Sequence, residues 1–220
     1  MGGQRIPGVI GIEPQTIEGL KGEGHLPPGA GLATPGPTGI DSDLATPLAV
    51  SRIVKSVKKD WEPPAPTTTP AIIIKGNTLE EAADNLNKLQ EWGQGGGMLR
   101  ADPIPVGTSP EVNVSLHANL VLRMPNWTGY DKASAAAKAE WDRMTAKLKI
   151  HEERHVEIAI EEADSLANDL IGHEISEIAK MVTAANKTMK DRQDELDHDT
   201  EHGSKPKVKY GDVSLDTSII

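Results

Sequence analysis

The residues best suited to chemistry in this chain are His151-Glu152-Glu153-Arg154-His155, two imidazoles four residues apart with a carboxylate directly after the first. On an α-helix positions i and i+4 share a face, so both rings can bind one Zn²⁺ while Glu152 reaches a water on that ion. Neutral imidazoles leave zinc strongly Lewis acidic, which lowers the pKa of bound water from ~16 to about 7. A carboxylate beside that water can then take its proton. The pattern is the HExxH arrangement of zinc hydrolases, so the expected activity is that of a metalloprotease. His151 and His155 are the expected metal ligands and Glu152 the expected general base.

A catalytic zinc normally has three protein ligands and an open water position. The chain has no cysteine, so the third ligand must be His, Asp or Glu. The densest remaining cluster of such residues is Asp197-His198-Asp199-Thr200-Glu201-His202-Gly203. His202 is the favoured ligand, because imidazole suits zinc and Gly203 lets the backbone turn beside it. Asp197 is expected as a ligand or as the partner orienting a ligand histidine, with His198 a weaker candidate. Glu162, one heptad beyond His155, is a candidate second partner for an imidazole. His198, His202 and Tyr210 are candidates for stabilising the transition state.

The elements that must position these residues follow from periodicity. Trp141, Met144, Leu148, His151, His155, Ile158 or Ala159, Ala163, Leu166 and Leu170 recur at steps of three and four. This predicts a long helix from about Asp131 or Ser134 to Gly172 with both histidines on its buried stripe. A second helix is expected over roughly 173–196, antiparallel to the first because the link at Gly172 is short. Upstream, Ala71–Lys75 reads as a short strand, and Thr78 with Glu81 as a capping box opening a helix that ends at Gln94-Gly95-Gly96-Gly97. Met98–Val106 reads as an edge strand, interrupted by two prolines. Val112–Met124 alternates apolar and polar without a break, predicting one strand whose polar face holds Asn113, Ser115, His117, Asn119 and Arg123. That face is a candidate for holding a peptide by β-augmentation if it lies at an edge. The expected fold class is α+β: a small, mostly antiparallel sheet packed on two long antiparallel helices, a zincin-like arrangement.

Residues 1–70 hold 11 of the 16 prolines and 11 of the 21 glycines, a composition that breaks regular structure and offers little apolar surface. They are expected to be a disordered head and linker, with 71–220 as the folded domain. Within the head only Leu48–Lys59 has helical spacing, with Val50, Ile53, Val54 and Val57 on one side. The head could dock a delivery or chaperone partner, or occlude the cleft as a pro-segment. A net charge of −10 and scattered basic residues argue against nucleic acid. No apolar run is long enough to span a bilayer or to act as a signal peptide, so any export is expected to use another route, as for a bacterial effector or toxin.

Four features together carry a family resemblance: Ile74-Lys75-Gly76-Asn77-Thr78 before the first helix, Met124-Pro125-Asn126-Trp127 closing the alternating run, Trp141 ten residues before the HEERH segment, and Asp197-x-x-Thr200-x-His202-Gly203. Over about residues 71–203 the chain resembles a bacterial family of predicted secreted zinc proteases, domain of unknown function 922. The resemblance implies a zinc-dependent peptidase acting on protein or peptide, with His151 and His155 as ligands, Glu152 as base and a functional Asp197/His202 segment. The chain departs from the family in having Leu196 where a tyrosine is usual, and in lacking cysteines and an export signal. Two other classes remain open: a di-iron-like helical metal protein, since Glu152-x-x-His155 and Glu195-x-x-His198 share its ligand spacing, and a non-catalytic interaction protein.

Overall fold

A computed structural model describes residues 51–61 and 67–218, with residues 67–70 as backbone alone. Its strands are β1 (Ile53–Asp60), β2 (Thr67–Ile74), β3 (Gln94–Gly96), β4 (Leu99–Pro105), β5 (Glu111–Ala118) and β6 (Val121–Trp127). Its α-helices are α1 (Leu79–Leu86), α2 (Ala135–Asp169) and α3 (Ile178–Thr200). The strands form two three-stranded sheets, in the orders β1-β5-β4 and β2-β6-β3. Each is mixed, because β1 and β2 pair parallel to the central strand while β4 and β3 pair antiparallel to it. The class is α+β as expected, but a mostly antiparallel sheet is replaced by two mixed ones.

Three local expectations are corrected. The segment expected as a helix over 48–59 is β1 from Ile53 on, with Val54 1% exposed against the first sheet. Its β-branched residues suit a pleated surface, and a slot beside β5 overrides their helical spacing. The described pieces of the expected disordered head, β1 and the start of β2, are therefore strands of the folded unit; residues 1–50 and 62–66 lie outside the described residues. The single strand expected over 112–124 is two strands in different sheets. Asn119 donates its N–H to the Met98 carbonyl at 2.9 Å, and the chain crosses from one sheet to the other there. Helix α1 stops at Leu86, so the glycine run that was expected to end it is β3.

Helix α1 begins as the sequence predicts, with the Thr78 hydroxyl accepting from the Glu81 N–H. Ser134 caps α2 in the same way, accepting from Ala137 N–H at 3.1 Å. The 35 residues of α2 span ~52 Å and serve two cores. Its first half (Ala137, Trp141, Met144, Leu148) packs with Ile74, Leu79, Leu86, Trp92, Trp127 and Val213. Its second half (Ala163, Leu166, Ala167, Leu170) packs with Val54, Leu99, Val112, Val114, Leu116 and Ile178. The turn after α2 contains Gly172 at φ +85°, a left-handed conformation that glycine adopts at no steric cost. Gly172 N–H donates to the Val54 carbonyl, and Val54 N–H to that of His173, both at 2.9 Å. Helix α3 then returns antiparallel to α2, with Ile178 against Leu166 and Leu170 and Arg192 paired to Glu161 and Glu162. No described helix is long and apolar enough to cross a membrane.

Candidate metal centre

The HEERH segment falls between the two cores, after Leu148 and before Ala163, on the stripe that α2 turns inward. His151, His155 and Glu152 are 1%, 3% and 2% exposed. The antiparallel return of α3 brings Asp197, 6% exposed, against both rings. Asp197 Oδ1 lies 3.2 Å from His151 Nε2 and 3.1 Å from His155 Nε2, and the two Nε2 atoms lie 3.2 Å apart. Four-coordinate zinc with bonds of ~2.0–2.1 Å sets its ligand atoms about 3.3 Å apart at the tetrahedral angle, so this triangle has the dimensions of one face of such a site.

Hydrogen bonding alone does not satisfy the triangle. His151 Nδ1 lies 3.0 Å from the Tyr210 carbonyl oxygen, which can only accept, so Nδ1 carries the proton. A neutral His151 then turns the lone pair of Nε2 toward the Asp197 carboxylate. A cation between them, or a second proton on the ring, resolves the clash. The electrostatics agree. Burial pulls the His151 pKa down, yet Asp197, Glu152 and the Tyr210 carbonyl outweigh it and the net shift is upward. Burial likewise works to raise Asp197, but the two imidazoles hold it at about 2. The cluster is an anionic, buried seat for a positive charge, and the three donors fit a metal ion.

The motif after α3 serves this geometry. Glu201 caps the helix in the left-handed region, at φ 49° and ψ 52°. His202 N–H donates to the Asp197 carbonyl at 2.7 Å, and Gly203 N–H to the Thr200 hydroxyl at 3.0 Å. At Gly203, φ is +79°, and a Cβ there would sit 3.3 Å from His151 Cγ and Nδ1. The glycine thus lets the chain lie close against the His151 ring. Tyr210 presents its carbonyl to that ring while Arg154 and Lys209 lie over its aromatic face at 5.9 and 4.6 Å.

Glu152 faces β3. A Cβ at Gly93 would lie 2.8 Å from Glu152 Cγ and Oε1, and one at Gly95 would lie 2.0 Å from the Glu152 carbonyl oxygen. Glycine just before β3 and within it therefore permits close contact with α2 at Glu152. Burial pushes the Glu152 carboxyl up to about 7, against the pull of His155 and His151, with Asp197 and Glu91 adding to the rise.

The expected site residues divide as follows. His151 and His155 lie together in a buried cluster that could hold a metal ion, with Glu152 buried beside them on α2. The third group brought against the two imidazoles is Asp197 rather than His202, because α3 stays helical through Thr200 and turns Asp197 inward. His202 stands at the rim, with Nδ1 3.9 Å from Asp197 Oδ2 and a side chain 34% exposed. His198 points outward, 89% exposed beside Asp199, so the second Glu-x-x-His spacing contributes nothing to the cluster. Glu162 is held by Arg192 at 2.6 Å and is not an imidazole partner. Tyr210 contributes its carbonyl rather than its hydroxyl. His117 lies in the first sheet between Asp60 and Asp102, at 3.2 and 3.3 Å. Both β5 and β6 are central strands, so the expected peptide-binding edge does not exist there. Sequence reasoning missed Gly93, Gly95 and the Tyr210 carbonyl; the alternation Gly93-x-Gly95-x-Gly97 was the available signal, but only Gln94-Gly95-Gly96-Gly97 enters the reading, as a helix stop.

No curated protein and no solved structure matches the chain. A family model described as "Bacterial protein of unknown function" matches residues 72–203, which run from the end of β2 through α1, both long helices and the Gly203 that lies on His151. The match covers more than half of the chain and includes the whole buried triangle, so the chain belongs to the DUF922 family of bacterial proteins.

Proposed function

We propose that the chain is a zinc-dependent endopeptidase. The observation that carries this reading is the buried triangle of His151, His155 and Asp197 with Glu152 buried on the same helix and its carboxyl within the electrostatic reach of all three. Two imidazoles and one carboxylate with a neighbouring glutamate is a donor set suited to catalytic zinc. Zinc bound there would supply Lewis acidity toward a water and a scissile carbonyl.

The chain's own groups account for the rest. Tyr210 fixes the His151 tautomer that leaves Nε2 free to ligate. Glu152 accepts a proton and returns it to the leaving amine. Burial holds its carboxyl near 7; a dication beside it would favour the ionised form that a base requires. His202, at the open rim, is the group best placed to donate to an oxyanion, since His198 faces solvent and the Tyr210 ring is held by two cations.

Metal analysis of the purified chain and of His151→Ala/His155→Ala tests the site, and hydrolysis of denatured casein by the wild type and Glu152→Gln tests the activity. One zinc per chain, lost in the double variant, and cleavage lost in Glu152→Gln are expected. Stoichiometric iron would instead favour a non-peptidase metal protein.

A further inference from the structure

Resting on that reading, we propose that Gly93 is a positioning residue for Glu152: the missing side chain just before β3 sets where the carboxyl stands beside the proposed metal ligands. Strand β3 covers only Gln94–Gly96, with Gly93 and Gly97 flanking it, and a Cβ built at 93, 95 or 97 would in each case meet α2. Gln94 instead turns to its neighbour strand, where Arg123 Nη1 donates to its Oε1 at 3.2 Å. The three glycines meet α2 and its surroundings. A Cβ at 97 would touch Ala159 Cβ at 3.2 Å, whereas at 95 it would run into the Glu152 carbonyl oxygen at 2.0 Å.

Gly95 and Gly93 do different work. At 95 the obstacle is helix backbone, so that glycine sets the distance between strand and helix. At 93 the obstacle is the Glu152 side chain, 2.8 Å from Cγ and Oε1 and 3.0 Å from Cδ. A side chain can rotate where backbone cannot. Gly93 is buried and is not among the glycines at positive φ, so alanine is compatible with its backbone and the whole consequence falls on the carboxyl. No hydrogen bond to the Glu152 carboxyl is seen among the described residues to hold it against such a push, so packing, with Gly93 on one side, restrains it.

The test uses the full chain loaded with cobalt, whose visible bands respond to groups around its open coordination positions, and the zinc form acting on casein. Gly93→Ala should bind one cobalt per chain with affinity within about threefold of wild type. Its spectrum should match that of Glu152→Gln rather than wild type. In the zinc form kcat should fall ~10²-fold at unchanged KM. Gly93→Ala/Glu152→Gln should be no slower than Glu152→Gln alone, as for two residues acting as one unit. Wild-type spectra and turnover in Gly93→Ala, or additive losses in the double variant, overturn the proposal. If Gly93→Ala does not fold, Gly93→Ala/Glu152→Ala should, because the clash is with that side chain; failure of this rescue also overturns it. A wild type that binds cobalt but cleaves nothing sinks the peptidase reading, while the spectra still decide the role of Gly93.

Discussion

Glu140 and Glu152 lie about three turns apart on α2 and are 7% and 2% exposed, yet their surroundings drive their carboxyls in opposite directions. Glu140 accepts from Arg143 Nε at 2.7 Å and Nη2 at 2.6 Å, and from the Asp216 N–H at 2.7 Å. Arg143 foremost, with that N–H, lowers its pKa despite burial. Arg143 Nη2 also donates to the Ser214 carbonyl at 2.7 Å, so the pair clasps the C-terminal segment to the helix. Glu152 is buried more deeply, has no such donors, and is pushed up to about 7. A buried carboxylate supplied with a bidentate arginine is a structural joint. One held without donors beside two imidazoles has its pKa raised by burial, at the expense of stability.

The largest effects should separate the two regions outright. Asp197→Ala removes a ligand from the triangle and should weaken zinc binding by ~10³-fold, taking a site of this kind as worth several kcal/mol per ligand; Glu140→Gln should leave it unchanged. Competition with a chromophoric chelator measures both. Next, Glu152→Gln should keep zinc and fold but slow casein cleavage by ~10²-fold or more, while Glu140→Gln stays within a few-fold of wild type. Equal losses of turnover in the two glutamine variants would break the distinction between joint and base.

The pH dependence of stability should sharpen it. The Glu140 pKa is lowered on folding, so its stabilisation is present above the ordinary carboxylate value and is lost as pH falls through the lowered one. Glu152 is raised from 4.5 to about 7, so the folded chain favours its neutral form. Its contribution is present below about pH 4.5 and disappears as pH climbs to about 7, a loss of ~3 kcal/mol. In the metal-free protein, urea unfolding at pH 5 and pH 8 should show wild type losing stability toward pH 8 and Glu152→Gln losing less. His151, also raised on folding and in part by Glu152 itself, contributes with the same sign but less in the variant, so it widens that difference rather than opposing it. Glu140→Gln should cost roughly 1–3 kcal/mol at neutral pH, toward the low end because Arg143 is 42% exposed and keeps water as a partner.

Which parts of this were legible depended on whether one periodicity or several competed. The stripe through Trp141, Met144 and Leu148 to His155 was readable because every member is buried and the spacing never lapses. The third ligand was not, because Asp197, His198 and His202 lie within one and a half turns and only helix phase chooses among them. Ending the helix at Leu196 discarded that phase. Steps of three and four from Ile178 through Val182, Ala185 and Met189 continue through Gln193 to Asp197, and would have reached it. The break at Asn119 was hidden because Ala118, Leu120 and Leu122 preserve the alternation while the chain changes sheets. In β1, valine and isoleucine at helical spacing concealed a strand, since pairing with β5 is a long-range contact that no local pattern records.

The smallest effects belong to the two remaining histidines of the α3 ending, and their order tests the helix phase directly. His198 is almost fully exposed and its ring pairs only with Asp199 at 3.4 Å, an interaction that water screens. His198→Ala should therefore change neither zinc affinity nor turnover measurably. His202 stands one step from the triangle, its ring 3.9 Å from the Asp197 oxygen that does not face the other imidazoles. As an orienting neighbour it should weaken zinc by about 10-fold when removed, well short of the Asp197 loss, and should lower kcat if it donates to the oxyanion. Zinc titration of the three alanine variants ranks them Asp197, His202, His198. A His202 defect as large as that of Asp197 would mean that the chain after Thr200 swings inward when metal binds and that the centre is built from three histidines.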